Sequence, residues 1–142
     1  MRVKYIRVST VDQNIDRQND FDGKVIIDRC SGSIPFSSRN GGGKVIELVN
    51  VGKVKEVYVH SLDRLGRNLM EILSTIKFLS QEGCNLVLEK EGIRTLDNNG
   101  KEYIASKLLI NILGAVAETE RDLIKERQRE GIAVAKRKGK FK

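Results

Sequence analysis

Apolar and polar positions alternate along residues 2–8, RVKYIRV, and the β-branched and aromatic content of the stretch predicts a first strand. KVIID at 24–28, EVYVHSL at 56–62 and CNLVLE at 84–89 predict three more. A period of 3.6 replaces the period of two between the third and fourth strands. Leu65, Leu69, Ile72, Leu73, Ile76 and Leu79 fall on one helical face, and Gly83 stands where a helix-ending glycine belongs. KVIELVNVGK, 44–53, predicts a helix that stops near Gly52. TVDQNIDRQND, 10–20, is polar around an isolated Ile15 and predicts a short helix capped by Ser9 or Thr10. The segment from Arg29 to Gly43, RCSGSIPFSSRNGGG, holds four glycines and the sole proline and predicts a long loop; GIRTLDNNGK predicts a turn-rich connector.

Strands alternating with helices imply an α/β fold. The expected form is three layers, a mainly parallel sheet of four to five strands with helices on both faces. The last element is out of proportion to that core. No proline interrupts Tyr103 to Arg137, and Gly114 and Gly131 are its weak points. Such a helix runs roughly 50 Å, whereas a compact domain of this size is only about 35–40 Å across. The helix must therefore project. Its first half carries Ile104, Leu108, Leu109, Ile112, Leu113, Val116 and Ala117, and its second half is mostly charged. The first half is expected to pack partly on its own domain and partly on a second copy. Gly114 reads either as a close-packing point between helices or as a tolerated defect. Residues 1–100 thus form the expected core, and 101–142 the long helix with its basic arm.

Charge sharpens this division. The chain has 142 residues and a net charge of +7. From Arg121 to Lys142 there are nine Lys and Arg against three Asp and Glu, so +6 of the excess sits in the last 22 residues. A one-sided cationic arm is how phosphate binding looks in sequence, and Arg121, Lys125, Arg129, Lys136, Arg137, Lys138 and Lys140 are its candidate DNA contacts. A membrane-surface helix fits less well, because the arm lacks a bulky apolar face. No run approaches 18 apolar residues, and MRVKYIRV lacks a signal-type block. Cys30 and Cys84 have neither metal-like nor redox-like spacing and read as reduced thiols of a cytoplasmic protein.

The candidate chemistry lies at strand ends. Arg7 and Ser9 follow the first strand, Asp28 and Ser31 the second, and Asp63, Arg64 and Arg67 the third. Ligands of open parallel sheets collect beyond the strands' carboxyl ends. Arg64 and Arg67, three apart at an expected helix start, gain nothing from the dipole there, which favours anions; a bound anion accounts for them. An exposed serine among arginines suits attack on a phosphodiester. Guanidinium groups hold phosphate oxygens bidentately and supply stabilisation that metals supply elsewhere. His60 is the only histidine and reads as a structural strand residue, so neither a metal cluster nor a Ser-His-Asp set is expected; GGGK at 41–44 lacks the spacing of a phosphate-binding loop. No cofactor is implied.

YIRVST with DQNIDRQ, then SG and an arginine in the loop, then SLDRLGRN, then GAVAETERDLIKERQREGI, together resemble the catalytic domain of the serine recombinases, the resolvases and DNA invertases. The resemblance runs in order over essentially the whole chain. It implies Ser9 as nucleophile, forming a 5′-phosphoserine link and releasing a 3′-hydroxyl, with Arg7, Arg64 and Arg67 around the phosphate. Arg39 would reach that phosphate from the loop, and Asp63 would assist proton transfer or orient the arginines. Tyr5, Gln13 and Gln18 would support the site, and Glu120, Arg121, Glu126 and Arg127 would border it and the dimer contact. The partners implied are double-stranded DNA and a homodimer that forms a tetramer at synapsis, in a prokaryotic or mobile-element setting. Members of the resolvase type continue into a helix-turn-helix domain, which is expected to follow Lys142. Two other readings remain: a catalytically silent DNA-binding protein of the same fold, and a small-molecule phosphotransfer domain that leaves the basic helix unexplained.

Overall fold

The structure, a computed structural model, describes residues 1–9 and 21–137. The helix expected over 10–20, and with it Gln13 and Gln18, lies outside them, as do Lys138 and Lys140. Five strands, β1 (Arg2–Val8), β2 (Lys24–Arg29), β3 (Glu56–Val59), β4 (Asn85–Leu88) and β5 (Ile93–Arg94), form one sheet in the order β2-β1-β3-β4-β5. The first four are parallel and β5 is antiparallel to β4. The expected α/β sheet is therefore present. The connector after β4 contributes the short fifth strand, held where the Thr95 hydroxyl accepts from Leu86 N at 2.9 Å and Leu96 N donates to Asn85 Oδ1 at 3.0 Å.

Val3, Tyr5, Ile26, Val57, Val59, Leu86 and Leu88 share one face of the sheet and are buried. Helices α1 (Asn40–Asn50) and α2 (Leu69–Gln81) cover that face with Val45, Val49, Ile72, Ile76 and Leu79. Each β-α-β crossover moves the chain the same way across the sheet, which puts both helices on one side. Cys84 is fully buried in this core, and burial pushes its thiol up to about 12, so it is a packing residue without thiolate character.

Two boundaries differ from expectation. α1 begins at Asn40 rather than 44, so the glycine run is the helix's first turn and not a loop. A methyl group on Gly41 would lie 2.8 Å from Ile26 Cγ2 and 2.9 Å from the Asp28 carboxyl, and one on Gly42 would collide with the Phe36 carbonyl. The glycines let the helix start against β2. Leu65, although fully buried, belongs to a separate 3-10 turn (Leu62–Leu65), and α2 starts only after Asn68, whose side chain accepts from Glu71 N at 3.0 Å. Arg64 and Arg67 are consequently not two residues of one helix start. His60 lies just past β3 and is exposed.

Helix α3 (Ile104–Arg137) has 34 residues and spans about 51 Å at 1.5 Å per residue. Ser106, Leu109, Ile110, Leu113 and Ala117 turn toward the core, chiefly toward α2. Beyond Ala117 nearly every described side chain is exposed, so the second half projects as expected. Ile104, Leu108, Ile112 and Val116, four apart, form an exposed apolar stripe. Gly114 faces α2, where an added methyl would meet Leu73 Cδ2 at an ordinary 3.7 Å. Close packing does not demand this glycine. Gly114→Ala is expected to raise the stability of the chain by about 0.5–1 kcal/mol, read as a higher urea midpoint at unchanged slope.

Candidate active site

The sheet order reverses between β1 and β3: from β1 the chain steps outward to β2, then crosses back to β3. The crevice beyond the carboxyl ends of two such strands is where open α/β sheets bind ligands. Ser9 follows β1 on one side of this crevice and Ser61, Asp63 and Arg64 follow β3 on the other. Ser9 is exposed, and no hydrogen bond ties its hydroxyl among the described residues. Arg7, two residues before it, donates from Nη1 to the Cys30 carbonyl at 3.2 Å, while its Nε is buried without a partner among the described residues. The guanidinium lies against Gly32, where an added methyl would meet its central carbon at a contact distance of 3.4 Å.

Asp63 feels the cations around it. Burial works to raise its carboxyl, but the Ser61 hydroxyl, Arg64 and Arg7 more than offset that and hold it below the usual carboxylate range. Arg64 Nη1 lies 3.6 Å from Asp63 Oδ2. The Asp63 carboxylate thus sits in the field of two of the three arginines expected around a phosphate.

Behind this surface is a buried network that sequence reasoning did not find. Asp28, 5% exposed, accepts from Gly41 N at 2.7 Å, Gly42 N at 2.9 Å and the Tyr5 hydroxyl at 2.7 Å. It is the N-terminal cap of α1, supplied from β2 because the residue at the local cap position, Arg39, offers no side-chain acceptor. Its only sequence signal is a carboxylate at the last inward position of a strand followed by a run of glycines.

Arg39 differs most from expectation. It does not reach outward from a loop; it is 2% exposed. Nε donates to the Ile34 carbonyl at 2.9 Å, Nη2 to Gly32 at 3.3 Å, and Nη1 to the Arg64 carbonyl at 2.7 Å and to the Tyr5 hydroxyl at 3.3 Å. The guanidinium is spent on protein acceptors and fastens the 29–39 segment to the backbone of Arg64. Tyr5 is the hinge of the network: burial first, then its donation to Asp28, push its phenol well above the ordinary range, against the opposing pull of Arg39. The sign follows directly. A neutral phenol favoured by folding contributes stability that is complete below pH 10, the ordinary value, and is lost as pH rises toward the folded value. Stability is expected to fall above about pH 10, with unfolding and Tyr5 ionisation coinciding in a phenolate-absorbance titration; Tyr5→Phe should flatten that dependence.

Arg67 stands apart from these three arginines, paired with Glu71 across a 2.6 Å Nε–Oε2 contact at the mouth of a cleft between α1 and α2. Glu120, Arg121, Glu126 and Arg127, and the basic residues Lys125, Arg129 and Lys136, are exposed on the projecting half of α3. No hydrogen bond or ion pair joins them to Ser9, Arg7 or Arg64 among the described residues. Within the described residues no group of three His, Cys, Asp or Glu side chains is arranged to hold a metal ion, and no helix is long and apolar enough to cross a membrane.

Solved recombinase catalytic domains share this fold. The N-terminal catalytic domain of TP901-1 integrase superposes with a TM-score of 0.66 at 22% identity, over 87% of this chain and 98% of that one. A resolvase family site-specific recombinase from Streptococcus pneumoniae superposes at 0.65 with 26% identity, over 96% and 99%. In sequence, the resolvase of transposon Tn1721 from Escherichia coli is 39% identical, covering 99% of this chain and 73% of its own length. The Salmonella typhimurium DNA-invertase hin is 34% identical over 98% and 70%. The model of the resolvase N-terminal domain matches residues 2–141, and the chain belongs to that family.

Proposed function

We propose that this chain is the catalytic part of a site-specific DNA recombinase that cuts and rejoins duplex DNA through Ser9, using neither a metal ion nor ATP. The Ser9 oxygen forms a bond to phosphorus as it loses its proton, and the bond from phosphorus to the 3′ oxygen breaks, leaving a 5′-phosphoserine and a 3′-hydroxyl. One phosphate ester replaces another of similar energy, so the step can run backward onto a new 3′ end. The observation that carries this reading is the position of Ser9: exposed at the reversal of strand order, with Arg7 beside it and Asp63 and Arg64 across the crevice.

In this reading Arg7, Arg64 and Arg67 stabilise the charge on the pentacoordinate phosphorus, and Asp63 orients arginines or moves a proton. Arg39 acts through the Arg64 backbone, from behind the site. Gln13 and Gln18 support the site from the segment after Ser9. The apolar stripe of α3 supports pairing with a second copy, and the projecting half supports contact with DNA through Arg121, Lys125, Arg129, Lys136 and Arg137, with Lys138 and Lys140 as further DNA contacts from the sequence that follows. Glu120, Arg121, Glu126 and Arg127 then border a site only in such an assembly, which at synapsis is a tetramer. Homologues carried on bacterial transposons support a mobile-element setting and a cytoplasmic location.

The test is to incubate the chain with a pool of short nicked duplexes with randomised centres, in the presence of a metal chelator. The expected product is a covalent protein–DNA adduct whose modified peptide maps to Ser9. DNA binding without any adduct would favour the silent DNA-binding protein instead.

A further inference from the structure

Glu71 is the third residue of α2 after its cap, Asn68, and the pair has the spacing at which a glutamate normally reaches back to the cap's own backbone N–H. Here it does something else. Its backbone N–H donates to Asn68 Oδ1, but its carboxylate turns to the preceding arginine, accepting from Arg67 Nε at 2.6 Å. The other oxygen, Oε1, is buried and has no partner among the described residues. Gly66 makes room for this arrangement, because a methyl there would press to 2.8 Å on Glu71 Cβ. Thr75 fixes the turn below: its one hydroxyl proton is shared between the carbonyls of Leu65 and Glu71, each 2.9 Å from Oγ1.

We propose that Glu71 is a positioning residue for the recombination reaction, gripping Arg67 by its Nε edge so that the terminal nitrogens face the DNA phosphate. This rests on the reading of the chain as a serine-dependent recombinase. Three features carry it. Arg67 is half exposed, and its only hydrogen bond among the described residues uses Nε, which leaves both terminal nitrogens for an anion. Guanidinium and carboxylate match as forks, so a small rotation brings Nη2 onto the unpartnered Oε1 and completes a two-point grip. That grip accounts for a buried acceptor that is otherwise unexplained. A flexible arginine at a helix start, with the dipole against it, would otherwise be spread over many rotamers. The negative partner behind it fixes one of them without occupying the phosphate-facing edge.

Two measurements test this. In single-turnover assays with the duplex pool, Glu71→Ala is expected to slow formation of the Ser9 adduct roughly tenfold to a hundredfold, since small misplacements of a phosphate-binding group cost that much. Glu71→Gln, which keeps an oxygen for Nε, should restore most of the rate, and Glu71→Ala should cost nothing further once Arg67 is alanine. An unchanged or faster rate in Glu71→Ala, or an equal loss in the Arg67→Ala background, would overturn the proposal. The second measurement needs no chemistry: exchange of the Arg67 Nε–H with solvent, followed by nitrogen-detected NMR. It should be slow in the native chain and in Glu71→Gln, and fast in Glu71→Ala. Fast exchange in the native chain overturns the grip whatever the DNA assay gives. Absence of any adduct from a chain whose Arg67 Nε–H is protected would instead count against the recombinase reading and leave the grip standing.

Discussion

Asp28→Ala is expected to destabilise the chain by roughly 3–5 kcal/mol, a large fraction of the about 5–15 kcal/mol that holds a domain of this size folded. The reason is the accounting of donors. Asp28 is the acceptor for two backbone N–H groups at the start of α1 and for the Tyr5 hydroxyl. Removing it leaves three donors in a nearly water-free place, and each unsatisfied donor costs about 1–3 kcal/mol. The negative charge opposite the helix N-terminus is lost as well. Asp28→Asn should destabilise almost as much, because the new NH₂ must face one of those donors. Arg29→Ala, one residue on and exposed, is the control and should shift stability by less than about 0.5 kcal/mol. The measurement is the urea midpoint at constant slope. A shift no larger for Asp28→Ala than for Arg29→Ala would mean that water takes over the cap, and that the Asp28–Tyr5–Arg39 network does not hold the site from behind.

That network also shows where local sequence reading stops. Strands β1 to β4 were legible because alternation is a property of neighbouring residues. The long helix was legible because the absence of proline and a sustained apolar period act over many turns. The start of α1 was not, since its cap is 13 residues upstream in β2 and the GGG run resembles a loop unless the close approach of Ile26 and Phe36 is known. Leu65 to Leu79 kept one apolar face across a break in the backbone. Periodicity registers the face, while the cap at Asn68 marks the break. The resemblance sends Arg39 from the loop toward the phosphate, and nothing local marks it as buried; four acceptors from three separate segments, 5, 32–34 and 64, make burial tolerable. Arg7 with Ser9, and Asp63 with Arg64, lie at the carboxyl ends of β1 and β3, where the sheet topology puts them. Asp28 acts through the start of α1 and the Tyr5 hydroxyl, and nothing in its immediate sequence announces it.

Ser9→Ala is expected to abolish the covalent adduct completely while leaving stability within about 0.5 kcal/mol of the parent chain. The two halves of this expectation have separate causes. Ser9 is exposed and its hydroxyl makes no hydrogen bond among the described residues, so among these residues deleting one oxygen leaves no donor or acceptor stranded and opens no cavity. The chemistry, in contrast, has no substitute, because the bond to phosphorus is made by that oxygen. The arginines alone can bind a phosphate and polarise it, yet cannot form the phosphoserine that preserves the ester's energy for rejoining. DNA binding should therefore survive in Ser9→Ala with its salt dependence unchanged, since the basic half of α3 is untouched. Thr10→Ala, at the neighbouring hydroxyl, should keep the adduct. An adduct that persists in Ser9→Ala and maps to Thr10 would transfer the nucleophile by one residue; one that maps elsewhere would remove the strand-reversal crevice from the reaction altogether. Set beside Asp28→Ala, the result separates two layers at one end of the sheet: a buried layer whose loss destabilises the chain, and an exposed layer whose loss is expected to silence it.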